Sequence, residues 1–382
     1  MTGSDERLLR CERLVTGTGV LPDAGVRVRG GQIVAVDSEL IGTPDDELSG
    51  WVVPGFVDTH CHGGGGGDYA DRDPESVLTG RAFHLRGGTT TSLASLVTAE
   101  IEILCEQIRT LRPLVRDGHF AGIHLEGPFL SREKAGAHDP RLLRPPDEAS
   151  VDQLLAAADG TLAMITMAPE LPGADAALAR FTAAGVTVAF GHSDADATIA
   201  ANAVAGGATV VTHLFNAMRP IHHRDPGPIP RLLTDPGPML EMISDGFHLH
   251  PDVVLMIIAT AGPDRVALIT DAFAGAGMPD GEFRLGALRV ALRDGQAHLI
   301  NTDGSLGAIA SSTLTMGAAV RFLVGHGVPV PDVARMASTT PARGHRLVGT
   351  GVVEPGAWAD LCVLDDQGDL QRVLHRGEWV SR

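Results

Sequence analysis

The chain has 382 residues, a formal net charge of −17, 44% hydrophobic residues and 20% charged residues. This composition is ordinary for a globular protein, and the acidity argues against nucleic acid as a general partner. The longest apolar run, residues 253–259, is far too short to cross a membrane, and residues 1–13 lack the apolar centre of a signal peptide. We therefore predict a protein that binds neither nucleic acid nor a membrane. Because the four cysteines are scattered and show no zinc-type spacing, we also predict reduced thiols and a cytoplasmic location.

Both ends of the chain have the sequence character of short strands separated by glycine, aspartate and proline. The predicted strands are residues 13–15, 26–29, 32–36, 351–353, 360–364 and 371–374. Neither group can bury a core alone, and chain termini commonly lie close together. We therefore predict that residues 1–52 and 350–382 combine into one small β-sandwich domain.

Strands and helices alternate in the central part of the chain. Continuous apolar strands are predicted at residues 55–58, 89–93, 120–126, 163–168, 186–192, 209–213, 239–245 and 265–271. Helices are predicted between most of them, at residues 76–86, 100–112, 151–157, 174–184 and 195–205. Strands of this type are buried on both faces, as in a parallel sheet, and eight of them can close a (β/α)8 barrel. The predicted fold class is α/β, with a TIM-like barrel over residues 53–349.

Nearly every predicted strand ends in a residue type that binds metals. These residues are His60, His62, Glu126, His192, His213, Asp245, His248 and Asp271. Active sites of such barrels lie at the C-terminal ends of the strands, so residues that are far apart in sequence would converge there. Taken singly, each residue could instead be a polar cap where a strand leaves the barrel.

Two of these histidines, His60 and His62, lie two residues apart, so a strand directs both imidazoles to one side. On its own this pair fits equally well with exposed histidines before a flexible glycine loop. Four histidines with carboxylates suit one or two divalent ions, and two-metal hydrolases need a bridging anion. Some barrel hydrolases use a carboxylated lysine as the bridge, but the only lysine, Lys134, lies in a polar loop. We therefore assign the bridge to Glu126.

Two further features concern proton transfer and anion binding. Asp271 ends the last predicted strand, where a carboxylate can take a proton from a metal-activated water and deliver it to a leaving amine. The segment His222-His223-Arg224 is a basic island in an acidic chain and can meet a phosphate. By itself, this island is more typical of a solvated surface loop.

Seven phrases, in order along the chain, carry a family resemblance. They are Pro54-Gly-Phe-Val-Asp-Thr-His-Cys-His62-Gly, His124-Leu-Glu-Gly-Pro-Phe129, Gly136-Ala-His138, Gly191-His-Ser-Asp194, Thr212-His-Leu-Phe-Asn-Ala-Met218, Asp245-Gly-Phe-His248 and Thr339-Thr-Pro-Ala-Arg343. The set resembles the amidohydrolase superfamily and, within it, the N-acetylglucosamine-6-phosphate deacetylase family. The resemblance implies hydrolysis of the acetamide of N-acetylglucosamine 6-phosphate to glucosamine 6-phosphate and acetate, with a metal-bound hydroxide as nucleophile.

The resemblance also implies a metal site and a catalytic pair. It assigns Glu126, His192 and His213 as the principal ligands, and it assigns His60 and His62 to a second ion that some members lack. Asp271 matches the general base and acid beside the metal, and His248 matches the histidine that polarises the acetamide carbonyl. The implied cofactor is one or two divalent ions per subunit, zinc in the first place, with iron, cobalt or manganese as alternatives.

The implied substrate contacts are spread over four segments of the chain. They are His138, Asn216, Ala217, Arg224, His248, Ile309, Ala310 and Ser311, and Arg224 would reach the active site of the neighbouring subunit of a homodimer. The last three residues follow one alignment of this loop, and residues 306–308 offer another.

Other functions are also compatible with parts of the sequence. The same chemistry could act on another N-acylated amino sugar, for example N-acetylgalactosamine 6-phosphate, and a non-catalytic scaffold is a further alternative. The glycine run after His62 resembles an esterase oxyanion loop, but the chain has no Gly-x-Ser-x-Gly nucleophile motif. The run also lacks the Lys-Ser/Thr ending of a phosphate-binding loop.

Overall fold

The computed structural model of the protein describes residues 6–38 and 41–381. Its strands are β1 (Glu6–Thr16), β2 (Gly19–Arg29), β3 (Gln32–Asp37), β4 (Asp46–Pro54), β5 (Phe56–Asp58), β6 (Gly63–Gly64), β7 (Gly67–Asp68), β8 (Thr89–Val97), β9 (Gly122–Glu126), β10 (Leu162–Met167), β11 (Thr187–Phe190), β12 (Ala208–Val211), β13 (Met239–Ile243), β14 (Val266–Ile269), β15 (Gly281–Leu285), β16 (Leu288–Arg293), β17 (Gln296–Ile300), β18 (Leu306–Ser311), β19 (Leu361–Leu364), β20 (Leu370–His375) and β21 (Glu378–Trp379).

The α-helices are α1 (Pro74–Arg86), α2 (Ile101–Arg116), α3 (Glu148–Ala158), α4 (Ala174–Ala183), α5 (Ala197–Ala205), α6 (Ile229–Thr234), α7 (Pro251–Ala261), α8 (Met316–Gly325), α9 (Val330–Ala334) and α10 (Thr340–Gly344). A 3-10 turn covers Arg132–Lys134, and a π-helical turn covers Arg335–Thr339. In the described ranges, no helix has both the length and the apolar character that a membrane crossing requires.

The chain divides into two compact units. The first unit draws on the chain up to Asp58, on His84–Thr91 and on the chain from Thr315, and the second consists of Thr59–Phe83 and Ser92–Leu314. In the first unit, helices α8 and α9 contact strands β20 and β4. The domain limits predicted from the sequence, 1–52 with 350–382 and 53–349, stay a prediction, and residues 1–5, 39–40 and 382 of that small domain lie outside the described residues.

Strands from both ends of the chain share one sheet in the first unit. Its seven strands are ordered β21-β20-β19-β4-β1-β2-β3. The C-terminal strand β19 pairs antiparallel with β4, and β4 pairs parallel with β1. Leu14 and Ile33 from the N-terminal segment pack in one apolar core with Leu361 and Leu374 from the C-terminal segment. The two ends therefore bury together what neither could bury alone.

The eight predicted central strands form one sheet in the order β5-β8-β9-β10-β11-β12-β13-β14. The ladders from β8 to β14 are all parallel. At the C-terminal ends, the Asp271 N–H donates to the His60 carbonyl at 2.8 Å and the His62 N–H donates to the Ala272 carbonyl at 2.7 Å. These bonds join the chain after the last strand to the chain after the first, and the predicted (β/α)8 barrel is confirmed.

An apolar layer fills the barrel interior on the N-terminal side of the predicted site. It consists of Leu93, Met164, Ala189, Val210, Met239 and Ala267, one from each of the strands β8, β10, β11, β12, β13 and β14. Such layers make a barrel interior a packed core rather than a pore. The polar residues at the C-terminal strand ends therefore lie above a closely packed apolar layer.

A four-stranded antiparallel sheet, β15 to β18, is inserted after the last barrel strand. Its inner side packs Leu285, Val290 and Ala297 against Val97 and Phe273. Sequence analysis did not predict this sheet. It returns the chain to the C-terminal end of the barrel, where Ser312 N–H donates to the Asp271 carbonyl at 2.9 Å.

Candidate metal centre

Three of the predicted ligands occupy the same position relative to their strands. His192, His213 and Asp271 each lie two residues beyond the last residue of β11, β12 and β14. Their φ angles are 47°, 28° and 49°, in the left-handed region. This conformation costs a residue other than glycine about 1–3 kcal/mol and is typical of functional sites. The strand ends are followed by the same tight turn, and each turn places one polar side chain at the mouth of the barrel.

One cluster of potential ligands contains His60, His62, Glu126 and Asp271. The Nε2 atoms of the two histidines are 3.1 Å apart. Glu126 Oε2 is 3.5 Å from His60 Nε2 and 3.3 Å from His62 Nε2. Asp271 Oδ1 lies at 3.5 Å and 3.3 Å from the same two nitrogens. Four donor atoms from three barrel strands therefore face one point.

A second cluster contains Glu126, His192 and His213. Here the other carboxylate oxygen of Glu126, Oε1, is 3.1 Å from His192 Nε2 and 3.0 Å from His213 Nε2. The two Nε2 atoms are 3.0 Å apart. Glu126 thus belongs to both clusters through different oxygens, as the sequence-based assignment of a bridge requires.

The spacing of these atoms fits divalent ions. A tetrahedral ion with bonds of about 2.1 Å holds its ligand atoms about 3.4 Å apart. The distances between donor atoms in the first cluster are 3.1–3.5 Å. Those in the second are 3.0–3.1 Å. Neutral imidazoles and carboxylates are the usual nitrogen and oxygen ligands of such ions. The chain therefore carries a buried donor set for divalent metal, shared by two clusters.

A cavity of about 240 Å³ opens onto both clusters. Its lining includes the predicted residues His62, Glu126, His138, His192, His213, Asn216, Ala217, His248, Asp271, Ile309 and Ala310. It also includes Ala308, which the alternative alignment of that loop offered, and five residues that were not predicted as contacts: Val97, Gly136, Ala137, Phe247 and Leu285. Binding sites for drug-sized ligands are usually 300–1,000 Å³. This smaller cavity suits a compact polar substrate.

Three predicted residues do not line this cavity. His60 is fully buried behind His62 and reaches only the first cluster. Ser311 is turned away, because its Oγ donates to the Asp271 carbonyl at 2.5 Å. Arg224 is exposed, and its Nη1 lies 2.7 Å from His223 Nε2.

Comparison with known proteins agrees with this site. The sequence profile of the amidohydrolase family matches residues 51–380. The chain belongs to the amidohydrolase family. A solved N-acetyl-D-glucosamine-6-phosphate deacetylase from Mycobacterium smegmatis, a mutant in complex with N-acetyl-D-glucosamine 6-phosphate, is 42% identical with a TM-score of 0.95, covering 100% of both chains.

Two curated relatives differ in the sugar that they are named for. An N-acetylgalactosamine-6-phosphate deacetylase of Escherichia coli O157:H7 is 34% identical, covering 98% of this chain and 99% of that protein. An N-acetylglucosamine-6-phosphate deacetylase of Danio rerio is 38% identical, covering 87% of this chain and 84% of that protein. Both relatives are named as deacetylases of a phosphorylated N-acetyl amino sugar, but the two names give different sugars.

The electrostatics of the amidohydrolase site favour positive charge at its centre. Burial alone would raise the pKa of Glu126, but His60 and His138 outweigh it and hold that pKa well below the ordinary value. Asp271 behaves in the same way, because His60 and His62 lower its pKa against the effect of burial. Burial lowers the pKa of His62, yet hydrogen bonds to Asp271 and Glu126 raise it to about 9. The site therefore stabilises a cation among its carboxylates.

His248 is held at the rim of the cavity by Asp245. The Nδ1 atom of His248 donates to Asp245 Oδ2 at 2.7 Å, and the backbone N–H groups of Phe247 and His248 donate to Asp245 Oδ1. Burial lowers the pKa of His248, but the hydrogen bond to Asp245 and its charge raise it above the ordinary value. The pair thus presents a histidine with a fixed ring orientation to the cavity.

Two supports of the ligands were not predicted. His192 Nδ1 donates to the Lys134 carbonyl at 2.9 Å, so Lys134 serves the site through its backbone. His60 Nδ1 lies 3.4 Å from Glu241 Oε2 inside the barrel. The sequence does contain a signal for Glu241, since it is the one charged residue of the apolar strand β13. The Lys134 carbonyl has no such signal, because every residue type carries a backbone carbonyl group.

Proposed function

We propose that this chain hydrolyses the acetamide of N-acetylglucosamine 6-phosphate and releases glucosamine 6-phosphate and acetate. The observation that carries the proposal is Glu126, whose two oxygens serve two ligand clusters at the base of a small polar cavity beside Asp271. The relatives named for this deacetylation support the choice of substrate.

The proposed ligands are His60, His62, Glu126 and Asp271 for one ion and Glu126, His192 and His213 for the other. We propose zinc, because the donors are nitrogen and oxygen atoms at tetrahedral spacing, with iron, cobalt and manganese as alternatives. When bound, such an ion lowers the pKa of a water molecule and polarises a carbonyl group.

Asp271 is proposed as the general base and then the general acid. Its pKa is held below the ordinary value, so the carboxylate is ionised and ready to accept a proton at neutral pH. Its Oδ1 atom faces the first cluster, 3.3 Å from His62 Nε2, and the side chain is only 13% exposed. The carboxylate takes a proton from the attacking water and delivers it to the leaving amine, which could not depart as an anion.

His248 and His138 are proposed to contact the substrate. His248 carries the raised pKa that suits a hydrogen-bond donor to the oxygen of the acetamide, where negative charge develops. His138 is different, since burial above all lowers its pKa to about 4, and it stays neutral at pH 7. Its Nε2 atom lies 3.4 Å from Glu126 Oε2, which places it beside the shared ligand.

The sugar and phosphate contacts complete the proposal. Asn216 and Ala217 follow the ligand His213, and we propose that they bind the sugar together with the 309–311 segment, where Ser311 acts indirectly by supporting Asp271. Arg224 is proposed to bind the phosphate of the neighbouring subunit in a homodimer. Arginine presents a planar pair of donors that matches a phosphate.

The proposed location is the cytoplasm. Cys11, Cys61, Cys105 and Cys362 are all buried thiols, as expected of a chain from a reducing compartment.

A second candidate substrate is N-acetylgalactosamine 6-phosphate. The relative from Escherichia coli O157:H7, which covers nearly all of this chain, is named for that sugar. The two sugars are epimers and would meet the same polar groups in this cavity. A comparison of their deacetylation rates therefore distinguishes them.

The experiment measures acetate release by the zinc-loaded protein from four sugars: N-acetylglucosamine and N-acetylgalactosamine, each with and without a 6-phosphate. We expect the highest kcat/KM with N-acetylglucosamine 6-phosphate and a large loss without the phosphate. A higher kcat/KM with N-acetylgalactosamine 6-phosphate would establish the second candidate. No release from any of the four would contradict the proposed function and favour a non-catalytic scaffold.

A further inference from the structure

Glu241 is a wholly buried carboxylate in the barrel interior. It lies in the middle of β13, whose other residues are Met239, Leu240, Met242 and Ile243, and it is 0% exposed. Removing a charged carboxylate from water costs several kcal/mol unless it is paired and hydrogen-bonded. A charge in this position therefore needs a specific partner.

The contacts of Glu241 are few and point in one direction. Its Oε1 atom accepts a hydrogen bond from Thr59 Oγ1 at 2.7 Å. Its Oε2 atom makes no hydrogen bond within the part of the chain that the structure describes, and it lies 3.4 Å from His60 Nδ1. No lysine or arginine of that part pairs with Glu241. The carboxylate is thus held by Thr59 and faces His60.

His60 is placed between Glu241 and the first cluster. Its Nδ1 atom faces Glu241, and its Nε2 atom lies within 3.5 Å of His62, Glu126 and Asp271 donor atoms. A carboxylate on one ring nitrogen with the metal on the other is the common arrangement of metal-binding histidines. It fixes the ring orientation and the tautomer and makes the imidazole a stronger ligand.

We infer that Glu241 is a positioning residue that orients His60 and makes the His60–His62 cluster a resident ion site of this chain. The resemblance alone left that cluster optional. The inference rests on the metal ligands proposed above and is independent of the substrate.

The test counts ions without any substrate. Metal-free protein is titrated with Co²⁺, and binding is followed by visible absorption and by elemental analysis after gel filtration. The wild-type chain should bind two ions. Glu241→Gln should keep the ion at His192 and His213 with unchanged affinity and bind the other about 10–100-fold more weakly, the usual effect of losing such a support. A parallel measurement of acetate release tests the proposed function separately.

Two further variants keep the test decisive. Thr59→Val leaves the carboxylate in place but removes the hydroxyl group that holds it, so it should weaken the same ion several-fold, less than Glu241→Gln. Thr161→Val, the control, also removes a buried threonine hydroxyl group, one that donates to the Ala158 carbonyl in the turn after α3, and it should bind both ions as the wild type does. If Glu241→Gln and Thr59→Val both bind the two ions with wild-type affinity, the inference is overturned. An equal loss in Thr161→Val would also overturn it, because the effect would then be a general loosening of the fold.

Discussion

The two halves of the metal centre are built by different means. In the half that contains His192 and His213, a backbone carbonyl, that of Lys134, holds the His192 ring. His60 faces a side chain instead, the carboxylate of Glu241. Support from the backbone survives most substitutions of the supporting residue, whereas support from a side chain is lost with a single change. The half that contains His60 and His62, called the first half, therefore depends on a side chain outside its ligands. The half that contains His192 and His213, called the second half, depends on the backbone at the mouth of the barrel.

Glu126 and Asp271 connect the two halves to the chemistry. Glu126 provides one oxygen to each half, and Asp271 belongs to the His60–His62 half alone. The proposed base is therefore located in the half that depends on a side-chain support. Substitutions of Glu126, of Asp271 and of one histidine from each half can separate the contributions of the halves.

The largest effect is expected from Asp271→Asn. The amide keeps the shape of the side chain but cannot accept the proton of the attacking water, so kcat should fall about 10²–10⁴-fold. Elemental analysis should still find the ion at His192 and His213. Activity equal to that of the wild type would remove Asp271 from its proposed role.

The next largest losses of activity are expected from His192→Ala and His60→Ala, which should lose different ions. Each variant lacks one ligand, so each should lose one ion, and activity should fall at least about tenfold, in the range seen when metal binding is weakened. His192→Ala should retain the ion of the first half, and His60→Ala should retain that of the second. Elemental analysis and kcat/KM on the same preparations measure this, and loss of the same ion in both variants would contradict two separate half-sites.

Arg224→Ala tests the contribution of the phosphate. A hydrogen bond to a charged group is worth about 1.5–3 kcal/mol, so kcat/KM for the phosphorylated sugar should fall about 10–150-fold. The unphosphorylated sugar should be unaffected. The matched control is Arg231→Ala, which removes another exposed arginine, one on α6 that pairs with Asp235. Equal losses with both sugars would show that Arg224 does not bind the phosphate.

The smallest effect concerns the Asp245–His248 pair and depends on pH. His248 has a raised pKa in the folded state, so its contribution to stability is complete below about pH 6.5 and is lost as the pH rises through the folded value. Asp245 has a lowered pKa, so its contribution is complete above about pH 3.9 and is lost as the pH falls through its folded value. Asp245→Asn should therefore lower the free energy of unfolding most between these limits, by about 1.5–3 kcal/mol.

Urea unfolding of the wild type and of Asp245→Asn at pH 5.5 and pH 9, with metal at saturation, measures this difference. We expect the gap between the two proteins to be smaller at pH 9. A gap that is the same at both pH values would show that the pair acts without its charges.

Much of this architecture could be predicted from the sequence because it rests on local patterns. The apolar runs predicted all eight barrel strands, and the polar residues that follow them predicted which side chains come together in the two clusters, including Glu126 in both. The reason is physical, since parallel strands of a barrel end at one face and bring their following residues together.

The remaining features depend on contacts that no local pattern records. Glu241 meets Thr59 across 182 positions of the chain, and the Lys134 carbonyl meets His192 across 58. Ser311 was expected at the substrate, yet its hydroxyl supports the Asp271 backbone. The sheet from β15 to β18 escaped prediction because its strands are largely exposed and lack the continuous apolar runs of the barrel.

The most direct measurement of the central claim is the number of ions bound by Glu126→Gln compared with the wild type. Both proteins are loaded with zinc, separated from free metal by gel filtration and analysed for zinc and protein. We predict two ions per wild-type chain and weakened binding of both in Glu126→Gln, because the shared carboxylate serves each half. Loss of only one ion, with the other bound as tightly as before, would contradict a centre whose halves are joined by Glu126.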